Sequence, residues 1–94
     1  MIKFEWDNEK AAANEIKHGV TFEIAARVFF DENRIEYYDE EHSGTEDRYY
    51  TIGMAGNVLF VVYTERQEAI RLISARLATK SEEAAYYDHL YSGR

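Results

Sequence analysis

The spacing of hydrophobic residues changes along the chain, and each change marks a different element. Ile2, Phe4 and Trp6 alternate with Lys3 and Glu5, the period of two expected of a half-buried strand. Asp7 is placed to cap a helix running from about Asn8 to His18, and Gly19 supplies the left-handed residue that ends it. Thr21 then starts a second helix, because Phe22, Ala25, Ala26 and Phe29 fall at i, i+3, i+4 and i+7, and that stripe stops near Asp31. Four strands follow: Glu32 to Tyr38, Arg48 to Met54, Val58 to Thr64, and Ala69 to Arg76. The loop from Asp39 to Thr45 separates the first two, and Ala55-Gly56-Asn57 and a turn around Gln67 separate the rest. Val58 to Thr64 is apolar on both faces, so it belongs at the centre of the sheet. Thr79-Lys80-Ser81-Glu82 is a capping box that opens a last helix reaching about Tyr91. The order β-α-α-β-β-β-β-α predicts an α+β fold, with two N-terminal helices and one C-terminal helix on an antiparallel sheet. A chain of 94 residues without proline or a linker is expected to form one domain over residues 1–94.

Composition narrows the chemistry. There is no cysteine, so disulfides and thiolate metal sites are excluded. The longest apolar run, Val58 to Tyr63, is far below the ~20 residues of a membrane span, and the first residues lack the layout of a signal peptide. The expectation is a cytoplasmic protein with no membrane partner and no cofactor. The formal net charge is -7. Residues 31 to 47 hold eight acids against Arg34 alone, and ten acids balance ten bases elsewhere. An acidic middle segment and a later basic hairpin are therefore free to serve different surfaces and different partners.

The basic hairpin carries Glu65, Arg66, Arg71 and Arg76. Regular alternation places Arg76 with Ile70, Leu72 and Ser74, and Arg71 on the opposite face with Ile73 and Ala75. Guanidinium groups fork onto two oxygens at once, so phosphate binding is one role for this cluster, and pairing of Arg76 with Glu65 or Glu68 across the hairpin is the other. Lys17 and His18 fall in the last turn of the first helix, where cations offset the helix dipole and where an imidazole is also placed for proton transfer. His42 lies among Glu40, Glu41, Glu46 and Asp47 at no recognised metal-ligand spacing, which favours a solvated acidic loop. The tyrosine pairs Tyr37-Tyr38, Tyr49-Tyr50 and Tyr86-Tyr87 must each divide between different directions, so not all are available to stack on bases.

Three segments resemble the BrnT toxins: Phe4-Glu5-Trp6-Asp7 with Lys10, Asn14, Lys17-His18-Gly19-Val20, Phe22, Ala25 and Phe29; then Arg48, Gly53 and Val62-Tyr63-Thr64-Glu65-Arg66; then Arg71-Leu72-Ile73-Ser74-Ala75-Arg76-Leu77-Ala78-Thr79. The resemblance implies a RelE-like fold and the ribonuclease half of a type II toxin-antitoxin pair, one that inhibits translation and growth. It also implies a BrnA-type antitoxin with a ribbon-helix-helix DNA-binding domain, through which operator DNA is reached indirectly. Under that resemblance Lys17, His18, Glu65, Arg66 and Arg76 are the candidate catalytic residues of a metal-independent endoribonuclease. Glu65 or His18 would accept a proton, His18 or Lys17 would supply one, and Arg66 and Arg76 would hold the phosphate; Arg71 is a further substrate-binding candidate, or, on the opposite face of a regular strand, a structural or antitoxin-facing residue. Leu77 stands where the family usually has lysine, and the last helix reads Lys80-Ser81-Glu82-Glu83 where arginines are common. Both departures remove positive charge and leave an alternative: a weak or inactive module that binds the antitoxin and co-represses its promoter.

Overall fold

The computed structural model describes residues 2–92. Strand β1 is Lys3–Glu5, helix α1 Asn8–His18, helix α2 Phe22–Arg27, followed by a 3-10 turn over Val28–Phe30. Strands β2 (Ile35–Tyr38), β3 (Arg48–Ala55), β4 (Asn57–Arg66) and β5 (Ala69–Leu77) come next, and helix α3 (Lys80–Ser92) closes the order. The element order is the one that the hydrophobic pattern predicts, with the second helix shortened by its 3-10 end.

Local chemistry sets the helix boundaries. Asp7 Oδ1 accepts from the backbone N–H groups of Glu9 and Lys10 at 2.8 and 3.2 Å, and Gly19 ends α1 at φ 70°. Thr21 Oγ1 accepts from Ile24 N at 3.1 Å to start α2. At α3 the capping box forms in both directions: Glu82 N donates to Thr79 Oγ1 at 3.2 Å, and Thr79 N donates to Glu82 Oε1 at 2.8 Å.

The five strands lie in the order β1-β5-β4-β3-β2, with β4 central as its apolar faces require. The expectation of a wholly antiparallel sheet is corrected at one edge, where β1 pairs parallel to β5 through Lys3 with Ala69, Phe4 with Ile70 and Glu5 with Arg71. Two helices intervene between β1 and β2, so β1 is not constrained to a hairpin partner and takes the remaining edge of the sheet.

Helices α1 and α2 cover one face. Its core joins Phe22, Ala25, Val28 and Phe29 to Leu59, Val61, Tyr63, Leu72 and Ala75. Gly53 is essential here: a Cβ on it would lie 2.6 Å from Val28 Cγ1, where the 3-10 turn crosses β3. Asn14 is a buried polar member of this face. Its amide donates to Val20 O at 2.9 Å and Ala75 O at 2.8 Å, and its Oδ1 accepts from Ala75 N at 3.1 Å. Because β1 reaches only as far as Arg71, the side chain of Asn14 acts as a one-residue strand on the exposed edge of β5.

The other face is only partly covered. Helix α3 packs Tyr86 against Ile52 and Val58, with Ile35, Met54, Phe60 and Leu90 around them. Asp31 ties α3 down, its Oδ2 accepting from Tyr86 Oη at 2.6 Å and from Met54 N at 2.8 Å. Burial pushes the Asp31 carboxyl up, but hydrogen bonds from Tyr86, Met54 and Asn33, with the charge of Arg34, outweigh it and hold it below the usual range. The remainder of this face is open, and it carries the charged residues.

Candidate functional site: an arginine-bearing sheet face

One irregularity decides where the arginines lie. Across β4 and β5, Val62 pairs with Ser74 but Tyr63 pairs with Leu72, so Ile73 is an extra residue in β5. Strictly regular alternation, which places Arg71 opposite Arg76, is therefore wrong for this strand. Phe60 pairs with Arg76, Val62 with Ser74, and Thr64 with Arg71, and residues 60, 62 and 64 share one face of β4. The bulge brings Arg71 and Arg76 onto the same face, the side of α3. Arg48 joins them by pairing with Thr64, and Arg66 falls on that face by alternation along β4.

Four arginines thus share a face, but not a single point. Arg66 and Phe60 are six residues apart on β4, ~20 Å along the strand, so Arg76 lies at the α3 end and Arg66 at the hairpin end. Arg76 is committed there. Its Nη1 and Nη2 donate to Glu82 Oε1 and Oε2 at 2.8 and 3.0 Å, Nη1 also reaches Leu77 O at 3.1 Å, and the guanidinium lies 4.1 Å over the Phe60 ring. The partner is Glu82 on α3, not Glu65 or Glu68 at the distant hairpin. The hydrogen bond with Arg76 lowers the Glu82 carboxyl against the effect of burial, and the same bond raises the Arg76 guanidinium.

At the hairpin end, Arg48, Thr64, Arg71 and Glu5 occupy one rung across β3, β4, β5 and β1. Arg71 Nη1 is 3.6 Å from Glu5 Oε1. Among the described residues the guanidinium of Arg48 makes no ion pair. Thr64 is 2% exposed, and its Oγ1 has no hydrogen-bond partner. Above this rung comes Glu46, carried by the acidic loop between β2 and β3. Arg66 Nε and Nη2 donate to its Oε2 and Oε1 at 2.6 and 3.3 Å. The hydrogen bond from Arg66 is the chief reason that the Glu46 carboxyl is lowered, and the charges of Arg66, Arg71 and Arg48 all act in the same direction. The acidic segment and the basic hairpin do not serve separate surfaces, since Glu46 folds one onto the other.

Between the two ends is an open cleft of about 820 Å³ whose floor includes Tyr50, Phe60, Val62, Ser74, Arg48 and Arg76. Tyr37, Tyr50 and Phe60 stack in a row at centroid distances of 4.9 and 4.8 Å, ending on the Arg76 guanidinium. Tyr38, Tyr49 and Tyr63 stand on the helix side, so the adjacent tyrosines divide between the faces as alternation requires. His42 sits on the rim, with Nδ1 2.9 Å from Asp39 Oδ2, which leaves its other ring nitrogen free. No group of three acidic or histidine side chains among the described residues is arranged to hold a metal ion.

The remaining candidates lie elsewhere. Lys17 and His18 end α1, which packs on the helix face against β5 and is anchored to Ala75 by Asn14. Glu65 is exposed at the hairpin and, by alternation from Tyr63, belongs to the helix side of β4. Arg66, Arg71 and Arg76 are brought to one face; Lys17, His18 and Glu65 are not brought to it. Arg48 and Thr64 lie within segments that resemble BrnT but carry no expected role, and Glu46 lies in none of them; strand register and the loop between β2 and β3 bring the three together.

A mixed five-stranded sheet, with α1 and α2 on one side and α3 and an arginine-bearing cleft on the other, defines a small α+β protein. The model of the ribonuclease toxin BrnT of type II toxin-antitoxin systems matches residues 6–82. The chain belongs to the BrnT family. Its fold is similar to the crystal structure of the Brucella abortus ribonuclease toxin BrnT, with a TM-score of 0.69 and 24% identity, over 85% of this chain and 100% of that one. No curated protein sequence matches the chain. No helix among the described residues is long and apolar enough to cross a membrane.

Proposed function

We propose that this chain is a metal-independent endoribonuclease toxin acting in the cytoplasm, which binds single-stranded RNA across the α3-side face of its sheet. The observation that carries this reading is the gathering of Arg48, Arg66 and Arg71 at one end of an open aromatic cleft, in a protein whose net charge is -7. Permanently charged forks suit a phosphate whose negative charge grows as the ribose 2′-oxygen attacks, and each well-placed donor contributes ~2 to 4 kcal/mol to that transition state. In the step itself the O2′–P bond forms and the P–O5′ bond breaks, leaving a cyclic phosphate.

Proton transfer calls for a group on the same face. The roles expected of Lys17, His18 and Glu65 fall on the other side of the sheet, so we assign the base to His42, which Asp39 holds through Nδ1 on the cleft rim. The proton from the 2′-hydroxyl passes to its free nitrogen, and the departing 5′-oxygen takes one from solvent. Arg76 braces α3 in place of holding the phosphate. Cleavage of a single-stranded RNA by the purified protein tests the assignment. Arg66→Ala, Arg71→Ala and His42→Ala are each expected to lose about a hundredfold or more, and His18→Ala to stay within a few-fold of wild type. Loss of activity in His18→Ala with full activity in His42→Ala would move the proton chemistry to the helix face.

The inhibiting partner in this reading is a BrnA-type antitoxin with a ribbon-helix-helix domain, through which the pair contacts operator DNA. The exposed acidic loop favours a basic docking segment, so association should slow as salt rises. A salt-independent association rate would remove that role for the loop. One observation favours the second reading, a catalytically weak antitoxin-binding module: Arg66, Arg71 and Arg76 each already face a carboxylate. Absence of RNA cleavage by a purified chain that still binds its antitoxin would establish it.

A further inference from the structure

We infer that the rung of Arg48, Thr64 and Arg71, with Arg66 beside it, is a phosphate seat, and that Glu46 occupies this seat in the free protein as a tethered competitor. The inference rests on the RNA-binding reading above and extends it to a specific set of contacts and to their control.

Three observations converge. First, register sets Arg48 and Arg71 on either side of Thr64 on adjacent strands, so two arginines share one rung and one face with a single hydroxyl. Second, that hydroxyl is buried without a partner, and a buried polar atom left unpaired carries an energetic cost that a ligand oxygen or water normally relieves. Third, a carboxylate is already present: Glu46 receives both Arg66 donors at 2.6 and 3.3 Å, in the forked geometry that a phosphate would use. Glu46 is carried by a loop rather than by the sheet, and it is 41% exposed, so it can leave without disturbing a strand. A surface pair of this kind is weak, and a phosphodiester that also engages Arg48 and Arg71 has more donors available than the carboxylate uses. Arg76, with both terminal nitrogens held by Glu82, has no equivalent vacancy.

The acidic loop then has two positions. With Glu46 on Arg66 the seat is partly neutralised; with Glu46 displaced it presents Arg66 and Arg48 to the RNA backbone, with Arg71 beside them still near Glu5. A mutation that removes the carboxylate should open the seat permanently.

The test measures binding of two probes, a fluorescein-labelled single-stranded RNA oligonucleotide and inorganic phosphate, to wild type, Glu46→Gln and Glu83→Gln. Glu83 is an exposed α3 acid whose side chain has no hydrogen bond or ion pair among the described residues, so Glu83→Gln removes the same charge away from Arg66. Glu46→Gln is expected to bind both probes roughly five- to tenfold more tightly than Glu83→Gln. Adding Arg48→Ala or Thr64→Val should abolish that gain, and a thermal melt of each variant reports whether it is folded. Equal affinities for Glu46→Gln and Glu83→Gln would overturn the inference, as would a gain that survives Arg48→Ala in a folded protein. If Glu46→Gln gains phosphate affinity but no form of the protein binds or cuts RNA, the seat stands and the ribonuclease reading fails. If wild type cuts RNA through Arg66 and Glu46→Gln changes neither probe, the ribonuclease reading stands and the seat fails.

Discussion

The two faces of the sheet are built to opposite rules. On the helix face the core is closely packed and its buried polar side chains are satisfied: Asn14 has three hydrogen bonds to backbone, and Thr51 Oγ1 donates to Ile35 O. On the α3 face the packing stops partway, arginines are held by carboxylates, and Thr64 keeps an unpaired hydroxyl. A fully satisfied surface has nothing left to offer a ligand. Stability is therefore concentrated on the helix side, and the groups left for the proposed recognition lie on the other.

Substitutions on the helix face should cost the most stability. Phe22→Ala, at a fully buried position, is expected to lose about 3–5 kcal/mol in a denaturant titration. Asn14→Ala should follow at roughly 2–3 kcal/mol, because it strands the N–H and C=O of Ala75 at the sheet edge and the carbonyl of Val20. Gly53→Ala should cost about 1–3 kcal/mol, since the new methyl group meets Val28 and forces the 3-10 turn away from β3. If Phe22→Ala or Asn14→Ala left stability unchanged, the contrast between the faces would fail.

An intermediate effect belongs to the attachment of α3. The carboxyls of Asp31 and Glu82 are both lowered in the folded protein, so the stability they contribute is complete above the unfolded range of ~4 and is lost as pH falls through their lower folded values. Both contact α3, Asp31 through Tyr86 and Glu82 through its own helix start. Acid should therefore loosen α3 while the helix-face core persists, which hydrogen exchange measured between pH 5 and pH 3 would resolve. Asp31→Asn should flatten part of the stability decline over the same interval. A decline identical to that of wild type would remove Asp31 from the account.

The smallest stability effects are expected at the open end of the α3 face. Arg48→Ala and Arg66→Ala should each shift unfolding by only about 0.5 kcal/mol, because Arg48 has no ion pair among the described residues and the Arg66 pair is exposed. A loss of several kcal/mol at either residue would make these arginines structural.

Much of the helix face was legible in the sequence, and the site only in part. Phe22, Ala25 and Phe29 declare their helix by spacing, and Asp7, Gly19 and Thr79-Lys80-Ser81-Glu82 mark its neighbours' ends, because caps and periodicity are local signals. The parallel pairing of β1 was not readable, since no turn ties it to β5. The bulge at Ile73 was hidden for a related reason: a register slip depends on the partner strand, and strict alternation put Arg71 on the wrong face. Glu82 shows a signal read halfway. Its place in the capping box was plain, whereas its grip on Arg76 depends on the corner between β5 and α3. Arg48, Thr64 and Glu46 are separated by up to 18 residues and meet only through strand register and a loop.

The proposed RNA-binding surface is the open end of the α3-side face, which contributes little to the fold. Its most direct test is the RNA cleavage rate of the Arg48→Ala/Arg66→Ala double variant, measured beside its thermal unfolding. Cleavage is expected to fall by about a thousandfold or more, with an unfolding midpoint close to that of wild type. Cleavage at the wild-type rate by the folded double variant would contradict it.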